Sequence, residues 1–530
     1  MSGGHNRNIP IHDDDDGDYD HPLIDRRSTS GDPPPRSSHA AGEQSYNIIV
    51  AAEAAVKQQH DQDQQTSSTT NPNISKEVLC DIKFDEHGER RISEKLVLLN
   101  KSIGTLVYEG KYEGREPPVA VKCLVLTQYA KVDIEEMFNK LEKSDVPRTN
   151  IARYYGLEWD RDFGYLVLER YICNLDDLVQ ICDPYVYEYL DISPGDDHED
   201  QYSSTRARPV TVYQADRLEP LKNVLGDVRL SQENGRPSPL LFKLMRDIVS
   251  GLIDLHELGI IHGDLKPQNV LITKRIRGLC AKLCDMGISK RLLENMASSS
   301  CGTSDNQPHE HASPKTFDVD MFSLGWILFF SITGGKLPFV GDHYDRNGKD
   351  IVENKVDLFL VKDFPEAYHL ISLLLSPRPE LRPNAIQVLN HPLLWNSETR
   401  LSFIRDTSDI IKTYPDLLQA LEATRARAIG TTWSTGKNKV DDKIINHMSR
   451  HRYYKFDHVS HLLRLMRNML SHYEELSKDI KELVGPELED LDAYFKIRFP
   501  ELLIEVYKVV CSHPCKEEPC FRKYFRAGNV

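Results

Sequence analysis

The chain has 530 residues, 40% of them hydrophobic and 28% charged, and a formal net charge of -15. This length and apolar content suffice for the cores of two or three domains, which excludes a fibrous or wholly disordered protein. The negative charge excludes nucleic-acid binding through the overall field, so such binding requires a local basic patch. Ten scattered cysteines form no disulfide framework and are typical of a reducing compartment.

The sequence shows no signal peptide and no membrane span. Its start lacks a basic segment followed by an apolar core, and its longest apolar run, Met321 to Ile332, is too short to cross a bilayer. Residues 1–80 are rich in Asp, Pro, Gln, Ser and Thr. They offer too little apolar surface to offset the entropy of ordering, so we predict a disordered acidic tail in a soluble, intracellular chain.

Short apolar strands follow from about Ile92. The third of them, Val119 to Lys122, reads Val-Ala-Val-Lys and resembles the nucleotide-binding lobe of a protein kinase, in which Lys122 reaches the phosphates of ATP. The turn between the first two strands keeps only Gly104 of the usual G-x-G-x-x-G loop. This departure weakens the case for fast catalysis more than the case for nucleotide binding.

The next helix, predicted over residues 133–143, has to supply a glutamate partner for Lys122. The spacing does not distinguish Glu135 from Glu136. The strand from Tyr165 leads into the predicted adenine-binding hinge, where we place Glu169 and Tyr171 as cofactor-binding residues. Residues 183–237 form an insertion that is either functional or disordered, and the sequence leaves both readings open.

A helix predicted over residues 240–258 leads into the stretch that carries the kinase chemistry. Asp264, Lys266, Asn269 and Asp285 follow one another in the order and spacing of a phosphoryl-transfer site. We predict that Asp264 orients the attacking hydroxyl and that Lys266 neutralises the transferring phosphoryl group. Asn269 and Asp285 supply oxygen ligands for Mg²⁺ on the phosphates.

The same region departs from a typical kinase at two positions. Gly263 replaces the arginine of the usual His-Arg-Asp motif, so an active enzyme does not need that arginine to clamp a phosphorylated loop. Met286 replaces a phenylalanine and leaves the metal ligand unchanged. Further along, we predict that Glu310 pairs with Arg382 and that Asp320 braces the catalytic loop from below.

The region beyond residue 397 is neither a linker nor low in complexity, and part of it is strongly basic. Residues 425–467 carry ten basic side chains against three acidic ones, a local charge of +7. This reversal of charge indicates a polyanion site, with a solvated basic face as the alternative. The basic residues are Arg425, Arg427, Lys437, Lys439, Lys443, Arg450, Arg452, Lys455, Arg464 and Arg467.

The helix predicted at the end of this region combines an apolar stripe with a polar ladder. Arg464, Asn468 and His472 recur at i+4 on the face opposite the stripe, with Arg467 beside them and Tyr454 nearby. This set suits metal-independent RNA cleavage, in which a 2′-hydroxyl attacks the adjacent phosphate while a base removes its proton. Arg467 stabilises the phosphorane and His472 protonates the leaving 5′-oxygen. The stripe consists of Val459, Leu462, Leu463, Met466, Met469, Leu470 and Tyr473.

The run from Tyr454 to Tyr473, followed by Arg498-Phe499-Pro500, resembles the ribonuclease domain of the inositol-requiring kinase/endoribonucleases, the unfolded-protein sensors of the endoplasmic reticulum. The resemblance covers about residues 92–525 and is most similar to plant members. It implies an α+β chain: a bilobal kinase over 92–395 with the insertion 183–237, then an all-helical, KEN-type ribonuclease over 397–525. The family's lumenal sensor and transmembrane helix have no counterpart here, so we expect neither stress sensing nor membrane residence.

The resemblance also implies function. It assigns nuclease positions to Tyr454, Arg467, Asn468 and His472, and kinase positions to the Lys122, Asp264, Lys266, Asn269 and Asp285 set. We expect a serine/threonine kinase that uses ATP and Mg²⁺, and a cofactor-free endoribonuclease that cuts RNA stem-loops. A nucleotide-bound homodimer or higher oligomer would gate cleavage in unfolded-protein signalling, messenger RNA splicing or decay.

Two alternatives remain open. The first is a nucleotide-binding pseudokinase with an active nuclease, which the altered glycine loop and Gly263 suggest. The second is a catalytically silent partner that forms a heterodimer with a membrane-bound relative. All three readings place the chain in the cytoplasm, at the cytosolic face of the endoplasmic reticulum only through partners.

Overall fold

The structure is a computed structural model, and its first described element is a strand at Glu77–Leu79. The described residues are 77–79, 95–102, 105–110, 112, 119–125, 135, 138–141, 148–159, 163–182, 212–233, 235–276, 278–286, 317–338, 356–436, 439–450 and 452–525. Within them, no helix has both the length and the apolar character needed to cross a bilayer.

The amino-terminal lobe is built on a six-stranded sheet in the order β1-β2-β3-β4-β6-β5, with antiparallel neighbours throughout. β1 falls within residues 1–80, the predicted disordered tail. Its backbone nevertheless pairs with β2. The strands are β1 Glu77–Leu79, β2 Lys95–Ser102, β3 Thr105–Gly110, β4 Val119–Val125, β5 Tyr154–Trp159 and β6 Phe163–Leu168.

The alternation of β4 decides where Lys122 lies. Successive side chains of a strand point to opposite faces. Val119 and Val121 pack in a small cluster with Tyr108, whereas Ala120 packs in the main core. Lys122 therefore lies on the face that Ala120 shares with the main core, and it is only 3% exposed.

The second lobe is mainly helical and carries a three-stranded sheet, β7-β8-β9, beside the catalytic loop. Helix α3 begins as its sequence predicts, because Ser238 accepts a hydrogen bond from Leu241 N and a proline occupies the first turn. The elements are β7 Cys173–Asn174, α1 Leu175–Cys182, α2 Val212–Leu225, α3 Pro239–Glu257, β8 Val270–Arg275, β9 Gly278–Leu283, α4 Phe317–Ile332, α5 Pro365–Leu374 and α6 Ala385–Leu389.

Part of the predicted insertion is regular. Helix α2 lies within residues 183–237, and Leu218 on it is buried. Leu221 and Leu225 pack against the main core. The segment 212–225 is therefore a packed helix and not an irregular loop. Its leucines recur at helical spacing, although the composition of the insertion is polar overall.

The carboxy-terminal domain has only helices in its described part, 397–436, 439–450 and 452–525. Its own apolar core has Trp433, Leu462 and Phe521 at its centre, all fully buried. The predicted fold, an α+β domain of two lobes followed by a helical domain, is confirmed. The helices are α7 Ser397–Ile410, α8 Pro415–Ala423, α9 Arg425–Ala428, α10 Asp442–Met448, α11 Val459–Ser471, α12 Lys478–Val484, α13 Leu488–Arg498, α14 Leu502–Ser512 and α15 Arg522–Phe525.

The two domains meet without a linker. The Trp395 ring lies 5.0 Å from the Phe403 ring on α7, 5.8 Å from Tyr507 on α14 and 5.4 Å from Tyr524. Asn396 caps α7 by accepting a hydrogen bond from Thr399 N at 2.8 Å. Leu394 thus belongs to the core of the first domain, and its neighbour Trp395 packs against the core of the second, so no linker separates the domains.

A stacked histidine pair lies at this junction. His369 Nδ1 is 3.0 Å from His391 Nε2, and the Tyr507 ring of the helical domain packs edge-on against both imidazoles. His391 Nδ1 accepts a hydrogen bond from Leu393 N, so the His391 proton is on Nε2 and is donated to His369. This arrangement requires both rings to be neutral.

We predict that acid weakens this junction. Burial lowers the pKa of His369 to about 4. The nearby Lys508 also lowers this pKa and Glu505 opposes the change. Burial also lowers the pKa of His391 well below its usual range. The unfolded chain then binds more protons than the folded one between about pH 6.5 and 4, so the free energy of unfolding falls as pH falls through that window. We expect a loss of roughly 1–3 kcal/mol between pH 7.5 and 5.5, measured by urea unfolding.

The matched variant is His369→Gln, whose amide oxygen still accepts from His391 but does not titrate. It should show a shallower pH dependence than the parent. An unchanged slope would mean that the pair does not couple protonation to folding.

Candidate nucleotide-binding and ribonuclease sites

Asp320 of α4 holds the catalytic loop, as the sequence predicts. Its carboxylate accepts from His262 N and from Gly263 N, each at 2.8 Å, and also lies 3.0 Å from His256 Nε2. Gly263 has φ +72°, a conformation that glycine adopts without steric cost. The residue that replaces the usual arginine therefore fits the backbone of this loop.

Asp264, Lys266 and Asn269 are brought together. Lys266 Nζ donates to Asp264 Oδ2 at 2.8 Å. Asn269 Nδ2 donates to Asp264 O at 2.7 Å and to Asp264 Oδ2 at 3.1 Å. The amide nitrogen of Asn269 is thereby committed to Asp264, which leaves the amide oxygen of Asn269 as the ligand atom for a cation.

Asp285 lies across the cleft from the catalytic loop. Lys122 Nζ is 2.8 Å from Asp285 Oδ2. Asp285 has φ +64°, and its backbone N donates to the Tyr154 hydroxyl at 3.2 Å. The left-handed backbone is uncommon for a non-glycine residue and marks this position as constrained. A carboxylate and an amide oxygen are hard ligands of the kind Mg²⁺ prefers, so Asp285 and Asn269 fit the predicted metal.

The described residues do not identify the glutamate partner of Lys122. Glu135 is half-buried in the structure. Glu136 lies outside the described residues, and so does Glu310, the predicted partner of Arg382. Arg382 itself donates to Asp318 O at 3.0 Å and to Ser376 O at 2.9 Å.

The predicted hinge residues are also in place beside the cleft. The Glu169 side chain accepts from Arg153 N at 2.9 Å and forms an ion pair with Lys282. Tyr171 is half-buried against the main core. The side chain of Glu169 is engaged in this way, which leaves only its backbone for the predicted contact with adenine. Sequence reasoning missed Lys282, although a lysine within an apolar strand was a signal for a buried ion pair.

In the helical domain, Tyr454, Asn468 and Arg467 form one hydrogen-bonded network. Asn468 Nδ2 donates to the Tyr454 hydroxyl at 2.8 Å, and Arg467 Nη2 donates to Asn468 Oδ1 at 3.0 Å. Arg467 Nη1 is also 2.6 Å from Asp409 Oδ1 on α7. Asp409 and Asn468 therefore hold the Arg467 guanidinium directly, and Tyr454 holds Asn468.

The expected polar ladder is partly wrong. Asn468 was placed on the face opposite the apolar stripe, but it is only 4% exposed, and Leu465 is buried as well. The segment that contains Tyr454 covers this side of α11, so the helix is enclosed over more than one stripe. The Asn468 amide is buried at low cost because both of its polar atoms are hydrogen-bonded.

His472 lies immediately after the end of α11, not within it. Its Nδ1 is 3.0 Å from Glu475 Oε2, and its side chain is 45% exposed. With Nδ1 bound to the carboxylate, Nε2 is the nitrogen left to exchange a proton with a substrate. Glu475 was not singled out from the sequence, although a glutamate three residues after the histidine is a signal for such a partner.

The basic region is less positive than its own composition indicates. Arg427 pairs with Glu505 at 3.2 Å, and Arg467 with Asp409, so acids from outside residues 425–467 neutralise part of the charge. Lys439 pairs with Asp442 at 2.8 Å. The exposed cations that make no ion pair among the described residues are Lys443, Arg450, Arg452 and Lys455.

Comparison with known proteins matches both domains to known families. Residues 219–394 match the protein kinase domain, and residues 400–525 match the ribonuclease 2-5A domain. An Arabidopsis thaliana protein named "Inactive serine/threonine-protein kinase/endoribonuclease IRE1-like" is 36% identical over 80% of this chain and 76% of its own length. The chain belongs to the IRE1 family.

Among IRE1 proteins, the similarity to plant members is high. The chain is 47% identical to Arabidopsis thaliana serine/threonine-protein kinase/endoribonuclease IRE1a, over 82% of the chain and 51% of that protein. It is 44% identical to the Oryza sativa IRE1, over 82% of the chain and 45% of that protein. The chain thus spans about half the length of these two relatives, and the predicted plant-like family is confirmed.

Proposed function

We propose that this chain is a metal-independent endoribonuclease gated by a nucleotide-binding kinase domain. The observation that carries the proposal is the network of Tyr454, Asn468 and Arg467 in a domain that matches ribonuclease 2-5A. A buried, fully hydrogen-bonded asparagine that positions a tyrosine hydroxyl and a guanidinium is typical of a preorganised site.

A base removes the proton of the attacking 2′-hydroxyl, and each residue of the network has its own task in this chemistry. The Tyr454 oxygen accepts from Asn468, so its own hydrogen is left to donate to a phosphate oxygen. Arg467 keeps further N–H donors for the phosphate after its contacts with Asp409 and Asn468, and stabilises the charge of the phosphorane. His472, oriented by Glu475, protonates the leaving 5′-oxygen from Nε2.

The test is cleavage of a stem-loop RNA by purified protein in EDTA. We expect products with a 2′,3′-cyclic phosphate, because the attacking 2′-oxygen stays on phosphorus. Absence of cutting at concentrations where the protein is shown to dimerise would contradict the proposal and favour a silent regulatory partner.

We propose further that the kinase domain binds ATP and phosphorylates serine or threonine, including residues of its own chain. Mg²⁺-ATP supplies the transferable phosphoryl group. Lys122 contacts its phosphates, the backbone of Glu169 and Tyr171 holds the adenine, and Asn269 and Asp285 hold the metal. Asp264, with Lys266 at 2.8 Å, orients the hydroxyl acceptor.

The proposed kinase activity can be tested by replacing Asp264. Asp264→Asn should lower phosphate incorporation from radiolabelled ATP by about 100-fold or more, because the carboxylate that orients the acceptor is lost. Asp363→Asn, an exposed change in the same lobe, should leave incorporation unchanged. Equal incorporation by Asp264→Asn and the parent would show that Asp264 has no such role.

A nucleotide-binding pseudokinase with an active nuclease is the second candidate. It is supported by the direct contact of Lys122 with Asp285, which engages the predicted metal ligand, and by the similarity to a relative whose name includes "inactive". RNA cleavage without any phosphate incorporation would support this candidate over the dual enzyme.

The proposal extends to assembly and place in the cell. Nucleotide-bound homodimers or higher oligomers assemble the nuclease, and a membrane-bound relative forms a heterodimer that brings the chain to the cytosolic face of the endoplasmic reticulum. Its substrates are stem-loop RNAs in unfolded-protein signalling, spliced or degraded. The proposed domains are an acidic tail within residues 1–80, a kinase over 92–395 and a ribonuclease over 397–525.

A further inference from the structure

A second tyrosine lies directly before the site tyrosine and faces solvent. Tyr453 is 76% exposed, whereas Tyr454 is 3% exposed. Among the Phe, Tyr and Trp residues in the described part of residues 397–525, Tyr453 is the one exposed side chain, and the others are buried or half-buried. A ring of this size contributes nothing to the core from that position, so its faces are available to a ligand.

The backbone around this ring is held on both sides by α11. Arg464 Nη2 donates to Tyr453 O, and the Arg464 guanidinium carbon lies 4.9 Å from the centre of the Tyr454 ring. On the other side, Lys455 N donates to His461 Nδ1 at 2.9 Å. Tyr453 is therefore fixed relative to the network of Tyr454 and Asn468, and less conformational entropy is lost when its ring binds a ligand.

The charges next to Tyr453 suit a polyanion. Arg450, Arg452 and Lys455 are exposed and form no ion pair with any described residue. Cations that are not neutralised attract a phosphate backbone, and an exposed aromatic ring between them offers a face for a nucleobase. Every base has such a face, but only an unpaired base can place it on the ring.

We propose that Tyr453 is a stacking platform that binds an unpaired base next to the scissile phosphate and makes the site selective for single-stranded RNA. This inference rests on the proposed ribonuclease function for the position of the phosphate. The binding of the base itself does not depend on cleavage. Arg464 acts as the positioning residue, because it connects the Tyr453 backbone with the Tyr454 ring.

The test measures affinity without cleavage. The probe is a fluorescent RNA stem-loop with a 2′-deoxy nucleotide at the cut site, titrated by anisotropy with the full chain. We expect Tyr453→Ala to weaken binding by about 5- to 100-fold, the usual range for loss of one stacked base. Tyr453→Trp should restore the affinity, and affinity for a blunt RNA duplex should be the same in all three proteins.

The matched control is Tyr368→Ala, which removes a 46% exposed tyrosine from the kinase domain and should not change binding. Equal affinity of Tyr453→Ala and the parent, or no RNA binding by the parent, would overturn the platform. If Tyr453→Ala weakens binding but the parent does not cut the all-ribose RNA, the platform stands and the proposed ribonuclease function fails. If the parent cuts the all-ribose RNA and Tyr453→Ala binds RNA as well as the parent, the proposed ribonuclease function stands and the platform fails.

Discussion

Replacement of His472 by alanine is expected to lower single-turnover RNA cleavage by about 10²- to 10⁴-fold, the usual effect of losing a general acid. His472 is exposed at the end of α11, its Nδ1 is bound to Glu475, and Nε2 is left to protonate the 5′-oxygen. Because the side chain is 45% exposed, its removal should not unfold the domain. The measurement is the rate of appearance of the 2′,3′-cyclic end at saturating enzyme in EDTA.

The control is His458→Ala. His458 lies at the opposite end of α11, is 34% exposed and has its Nδ1 2.8 Å from Asp457 Oδ1, so it matches His472 in exposure and in its carboxylate partner. Its variant should retain the parent rate within a few-fold. Similar losses in both variants would indicate that the helix ends matter for structure, and His472 would not be the acid.

The second large effect is expected on stability, at the junction of the two domains. Arg400 of α7 forms an ion pair with Glu366 of α5, and its Nε lies 3.3 Å from Asp492 Oδ2 on α13. Glu366 is 0% exposed and Arg400 is 5% exposed. Burial alone would raise the pKa of Glu366. Arg400, Lys496 and the hydrogen bonds to the carboxylate together lower this pKa by more, so the carboxylate stays charged.

We therefore expect Arg400→Met to reduce the free energy of unfolding by about 3–5 kcal/mol, because it leaves a buried carboxylate without its cation. Urea unfolding followed by tryptophan fluorescence measures the change, since Trp395 lies at the same junction. Arg405→Met removes a partly exposed arginine from the same helix and should cost less than about 1 kcal/mol.

A double variant separates charge from packing. Arg400→Met combined with Glu366→Leu should recover a large part of the loss, because well-packed apolar residues can replace a buried ion pair. If the double variant is no more stable than the single one, the loss comes from packing of the Arg400 stem and not from the uncompensated charge.

The kinase motif was predictable from sequence because its chemistry is local. Asp264, Lys266 and Asn269 lie within six residues, and the structure joins them by hydrogen bonds over that short distance. The third strand of the first lobe was predictable for a similar reason, since the short apolar run from Val119 to Val121 is typical of a buried strand. His472 was identifiable as a candidate from its place in a motif, although its position beyond the helix end was not.

Other parts of the site depended on distant residues. Arg467 is oriented by Asp409, 58 positions earlier, and Glu169 is engaged by Lys282, 113 positions later. The predicted charge of +7 was too high for the same reason, since Glu505 neutralises Arg427 from another helix. A count of charges along the chain contains no information about which acids fold back onto it.

By itself, the sequence determined the order of the domains, the family and the residue types that can carry each chemistry, because these follow from short-range spacing and periodicity. The tertiary structure alone decided that Asn468 is buried under Tyr454, that Tyr453 is left in solvent, and that Arg400 joins Glu366 across the domain junction. Burial and ion pairing depend on which surfaces pack together, and only the packed chain brings residues far apart in sequence within hydrogen-bonding distance.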